Sequence, residues 1–103
     1  MSGWLVRADD FAARRGEYLM RHGSMRAMPH RPTMPNRQAP HTQDELYLVM
    51  RGGGAFTKNG ETVRFGPGDA IFVEAGAEHR FEAIDDDLLL WIVFWGSEGG
   101  EED

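Results

Sequence analysis

Apolar positions along most of this chain recur with a period of two, in short runs broken by glycine-rich turns. In extended chain successive side chains leave opposite faces, so that period predicts strands. Tyr18 to Arg21 and Met25 to Met28 read as short strands around the turn His22-Gly23-Ser24. Pro29 to Pro40 holds four prolines and no apolar period, which predicts a loop or an irregular edge. Strands follow over Glu45–Arg51, Ala55–Lys58, Glu61–Phe65, Ala70–Val73, His79–Ala83 and Leu88–Trp95. Asn59-Gly60 between two of them is a hairpin signal, because both residues tolerate positive φ. The single expected helix is early: Asp9 or Asp10 caps a turn over Phe11 to Arg15, which Gly16 ends. Short strands with turns roughly every eight to twelve residues predict an all-β sandwich or barrel. The lack of long helical segments excludes a parallel α/β sheet.

The last run, Leu88-Leu-Leu-Trp-Ile-Val-Phe-Trp95, breaks the alternation by being apolar at both parities. An antiparallel strand with one wet face alternates, so this strand requires two covers. One is the barrel interior. The other is the N-terminal segment bearing Trp4 and Phe11, or a second subunit. Phe11, Ala12 and Ala13 supply little apolar bulk for two tryptophans, so a homodimer is expected.

Composition narrows the picture further. A chain of 103 residues with 41% apolar residues builds one core. We expect a single domain over residues 1–95 and an unstructured acidic tail over 96–103. The net charge of −6 and the lack of a basic stripe argue against nucleic acid as a partner. The absence of cysteine removes disulfides, thiolate metal sites and thiol nucleophiles. Met1 to Asp10 shows no signal-peptide pattern, and Leu88 to Trp95 is too short to span a membrane. The expectation is a cytoplasmic protein with no membrane partner.

Four histidines remain as candidate chemistry. His22 lies in a turn and His30 in the proline-flanked loop, and both read as solvated surface residues. His41 differs, because Glu45 follows four residues on, an even spacing that puts both side chains on one face of extended chain. Imidazole and carboxylate together suit a divalent cation, and equally make a solvated ion pair. His79 lies at the return of the hairpin that Gly52 and Gly68 bracket, and can reach the same patch.

With these residues the sequence resembles the cupin superfamily. His41, Glu45 and Gly52 match the second histidine, the glutamate and the closing glycine of its first motif, in register. Ala39 stands where the first histidine belongs, and the leading glycine is absent. Gly68, Gly76 and His79 match the second motif, with Glu74 in place of its proline and Ala83 in place of its asparagine. The resemblance implies a double-stranded β-helix, a jelly-roll-like barrel, with one divalent metal (iron, manganese, zinc or nickel) held by His41, Glu45 and His79. It also leaves open an empty pocket, since one family ligand is missing.

Around that site, Gln38 beside the Ala39 vacancy can offer an amide oxygen, although a surface loop amide is its simpler reading. Tyr47 shares the face of Glu45 and is expected in the pocket, as a hydroxyl for a ligand or as core. Phe72, Phe81 and Trp91 are expected to line the barrel interior. Asp44, of opposite parity, is expected to face solvent. The functional expectation is a metal-dependent oxygenase, isomerase or lyase acting on a small organic molecule. The alternative is a non-catalytic binding or sensor module, with or without metal.

Overall fold

The computed structural model describes residues 4–36 and 39–100. One helix, α1 (Ala8–Ala13), precedes eight strands: β1 (Met20–His22), β2 (Met25–His30), β3 (Asp44–Arg51), β4 (Gly54–Lys58), β5 (Glu61–Phe65), β6 (Ala70–Val73), β7 (His79–Ile84) and β8 (Leu89–Trp95). The helix starts before the expected capping residues. Arg7 holds the N-cap without a side-chain bond, and Asp9 and Asp10 stand in the first turn, where their charges meet the helix dipole. Among the described residues no helix is long and apolar enough to cross a membrane.

The strands form two antiparallel sheets, ordered β1-β2-β8-β3-β6 and β5-β4-β7. The strand pattern predicts a sandwich or barrel, and the two sheets are consistent with the double-stranded β-helix that the resemblance implies. Strand β2 runs through Pro29 to His30 and so intrudes on the expected loop. It tolerates the proline because β1 pairs only with Met25–Ala27, so the β1–β2 ladder asks no bond of the Pro29 nitrogen. The buried Pro29 offers only its carbonyl, which accepts the Gly16 N–H at 2.7 Å. Asn59 and Gly60 both have positive φ, 49° and 85°, as the hairpin between β4 and β5 requires.

Alternation sets what each face does. From the larger sheet Tyr47, Val49, Val73, Leu90, Ile92 and Phe94 point inward, and from the smaller sheet Phe56, Phe65 and Phe81 meet them. Tyr47, Phe56 and Phe81 pack edge to face at centroid distances of 4.9–5.7 Å, an arrangement that adds to their area burial.

The odd residues of β8 face outward. Two sequence expectations are corrected here. Trp91 lies on the outer face and packs against Phe11 at 4.8 Å, so the helix covers this end of the strand. Phe72 is also outside, 47% exposed, with its ring 6.1 Å from Trp95. Register explains both: Phe72 pairs with Leu46, and Trp91 with Leu48, residues of opposite parity to Glu45, Tyr47 and Val49. Residues 96–100, assigned by sequence to an unstructured tail, turn back on the loop before β3, where the Gly99 N–H donates to the Thr42 carbonyl at 2.6 Å. The end of the tail, 101–103, lies outside the described residues.

Backbone approach is closest at Gly54. A Cβ built there would stand 2.0 Å from the Ala83 carbonyl oxygen of the neighbouring strand, whereas one at Gly60 would meet nothing within 4 Å. Gly54→Ala should therefore lower stability by about 2 kcal/mol or more, as overpacking against main chain does. Gly60→Ala should cost only the left-handed backbone penalty of about 1 kcal/mol. Denaturant unfolding of the two variants checks the order, and equal losses would contradict the close approach.

Candidate functional site

Three adjoining segments bring His41, Glu45 and His79 together. Glu45 is the second residue of β3 and pairs with Val73 on one side and Phe94 on the other. Its side chain enters the space between the sheets and is wholly buried. His79 opens β7, and His41 lies in the loop just before β3. Backbone bonds fasten this loop to the turn that delivers His79. The Gly76 N–H donates to the His41 carbonyl at 2.9 Å, and the Ala75 N–H donates to Asp44 Oδ1 at 2.8 Å. Asp44 is thus buried and structural, not solvent-facing as its parity implied.

One donor atom from each of the three residues lies within 4.8 Å of the others. The two carboxylate oxygens of Glu45 are treated differently. Oε1 lies 2.9 Å from His79 Nε2 and 3.6 Å from His41 Nε2, and it accepts the Tyr47 hydroxyl at 3.2 Å. Oε2 is buried and has no hydrogen-bond partner among the described residues. An orphaned carboxylate oxygen is costly in a dry interior, and a cation is one group that satisfies it. Two imidazoles and one carboxylate form a donor set fit for a first-row divalent ion. Of the three side chains, Glu45 and His79 are fully buried and His41 is 36% exposed, so His41 faces the entrance.

His79 is oriented from behind. Its Nδ1 stands 2.9 Å from the Ala77 carbonyl, an acceptor, so Nδ1 carries a proton and Nε2 is the atom aimed at Glu45. Burial disfavours the imidazolium, but the bonds to Glu45 and to Ala77 outweigh it and hold His79 above its ordinary pKa.

The entrance opens on a cavity of about 340 Å³, at the small end of the range for ligand pockets. Arg26, Met28 and His30 of β2 line one side, and His41, Gln43 and Phe94 the other. His30 belongs to this cavity, contrary to the surface reading of its loop. Burial pushes its pKa below the ordinary value, against the opposing pull of Glu45. Had β2 been carried through Pro29, the even spacing of Arg26, Met28 and His30 would have revealed the shared face. Tyr47 and Phe81 do not reach the cavity. They are buried beneath it, Tyr47 as a support for Glu45 and Phe81 as core. Gln38 lies outside the described residues. Phe72 and Trp91 stand on the far face of the sheet, as described above.

A two-sheet antiparallel barrel with imidazole and carboxylate donors converging at its mouth defines a small β-barrel protein with a metal-type ligand cluster. Residues 23–95 match the family described as Cupin domain, and the chain belongs to that family. It is 42% identical over 57 residues to an uncharacterized protein of Streptomyces coelicolor, covering 55% of this chain and 54% of that protein. The chain therefore spans about half the length of that curated relative. Among solved structures it is similar to KdgF from Halomonas sp., with a TM-score of 0.68, 20% identity, and coverage of 80% of this chain and 79% of that one. It is also similar to the DMSP lyase DddQ from Ruegeria pomeroyi, with a TM-score of 0.61, 23% identity, and coverage of 72% and 39%.

The histidine environments carry an expected outcome. In the metal-free chain, NMR titration should place His79 above and His30 below the free imidazole value of about 6.5. Because the folded value of His79 is raised, its contribution to stability is complete below the unfolded value. That contribution is lost as pH rises through the folded one. Coincident titration of the two rings would refute the described environments.

Proposed function

We propose that the chain is a metal-dependent cupin enzyme. His41, Glu45 and His79 hold one divalent ion at the barrel mouth, and the substrate is a small organic molecule. The observation that carries this reading is the buried Glu45 carboxylate, flanked by two imidazoles and with one oxygen unsatisfied among the described residues. A bound ion of this kind supplies Lewis acidity or a site for an oxygen donor. The chain's own residues do the rest. Tyr47 fixes the Glu45 carboxylate, the Ala77 carbonyl fixes the His79 tautomer, and the cavity walls orient the substrate over His41. The similarity to a DMSP lyase, a protein of the same fold, is consistent with the lyase option for a small organic molecule.

A second reading also has an observation behind it. The His79–Glu45 pair at 2.9 Å is already satisfied as an ion pair, which suits a metal-free binding or sensor module. Metal content decides between the two. Protein purified without chelator and without a histidine tag should carry stoichiometric first-row metal, and His79→Ala should lose it. Tyr47→Phe should keep the ion but weaken its binding by about tenfold, as loss of a group that orients a ligand does. Affinity should fall as pH drops through the raised pKa of His79, since the proton competes for Nε2. A wild-type chain that stays empty after incubation with iron, manganese, zinc and nickel salts leaves the sensor reading standing.

We also propose that the outer face of the larger sheet seats a second copy. Met50 and Phe72 are 53% and 47% exposed there, beside the half-buried Leu46, Leu48 and Val93. Val93→Glu should convert a dimer to monomer or aggregate in light scattering. A monomeric wild type at micromolar concentration would refute the pairing.

A further inference from the structure

We infer that Arg26 is a specificity residue that binds the carboxylate of a small organic acid. This deepens the reading given under Proposed function and rests on it for the ion at the far end of the substrate.

Arg26 lies on the inward face of β2, opposite Phe94 of β8, and is half-buried in the wall of the cavity. Its guanidinium carbon stands 5.1 Å from the centre of the Phe94 ring and 5.2 Å from that of Tyr18, so two aromatic faces hold the cation in place. Gln43 Oε1 accepts from its Nη2 at 2.5 Å, and Gln43 is itself anchored by donating to the Gly96 carbonyl at 2.9 Å. The fork is therefore oriented before any ligand arrives.

Among the described residues no carboxylate lies within ion-pair distance of Arg26, in a chain whose net charge is −6. A guanidinium has five donors in a planar fork, and Gln43 is its one hydrogen-bond partner among those residues. Arg21 adds a second cation at the rim, paired with Arg26 in the β1–β2 register and 4.8 Å from the Tyr18 ring centre. Two arginines at the mouth of an acidic protein make that mouth locally attractive to anions. Phe94 links this end to the candidate metal cluster, because its ring also meets His41, at 5.3 Å. A molecule of a few carbons lying over Phe94 touches both ends, and the cavity of about 340 Å³ suits that size. Planar bidentate pairing then makes a carboxylate the matching group.

The test is titration of the metal-loaded full chain with lactate and malonate, each beside its uncharged analogue, lactamide or malonamide. Binding is followed by the NMR signals of the Arg26 Nε–H and the Phe94 ring, with metal content measured on the same samples. At least one acid should bind about tenfold or more tightly than its amide, the gain expected of a charge-assisted bond. Arg26→Gln should bring that ratio close to one without loss of metal, and Arg26→Lys should keep part of it. Should Arg26→Gln fail to fold, the wild-type ratio and the movement of the Arg26 signal still decide. Metal-loaded protein that leaves the Arg26 signal unmoved by both acids, or that binds acid and amide alike, overturns the inference. An empty protein that still prefers the acid through Arg26 overturns the metal reading and leaves this one standing.

Discussion

The arrangement depends on a carboxylate placed where water does not reach. Glu45 sits at full burial on a central strand, and its neighbours are organised around the cost of that position. Tyr47 gives up a core hydroxyl to one of its oxygens, and His79 approaches the same oxygen from the opposite sheet. The two sheets are thus joined at this end by a polar contact. A few ångströms deeper they are joined by Phe56, Phe81 and Tyr47 packed edge to face. The site and the core share Tyr47, so neither is an addition to the other.

Most of this architecture was legible from period and turn chemistry. The run Glu45–Arg51 and the Asn59-Gly60 hairpin follow from rules that act locally, and the structure has them as strands and hairpin within one residue. The His41, Glu45 and His79 group was legible because it combines an even spacing with a motif register. Partners were not legible. Parity says that Phe72 and Trp91 share faces with their own strand neighbours, but which face is inside depends on cross-strand register, a non-local quantity. Asp44 shows the same limit. Its parity is outward as expected, yet the turn at Ala75 folds over it and makes it a buried acceptor.

His30 failed for a different reason. The proline before it marked a loop, and proline does end most strands. Here β1 is only three residues long and its ladder stops at Ala27, so the missing N–H of Pro29 costs no bond of that ladder and the strand continues. The consequence reaches the site, because that extra stretch of β2 puts a half-buried imidazole into the wall of the cavity. An edge defined by the shortness of the next strand decides whether a histidine is surface or pocket.

The turn from Glu74 to Ala77 is held through its own main chain. The N–H groups of Ala75, Gly76 and Ala77 go to Asp44, His41 and Glu74, and the Ala77 carbonyl steadies the His79 ring. None of these bonds uses a side chain of residue 74, 75 or 77. Inherited substitutions at positions 74 and 75 can therefore accumulate while the imidazole stays aimed, provided that position 75 keeps its N–H and so excludes proline. Gly76, with φ of +82°, does not share that freedom, and Ala77 is limited in size by its burial. A glutamate where the family motif has proline then takes no part in the bonds that aim His79, and its carboxylate pairs with Lys58 instead, at 3.0 Å.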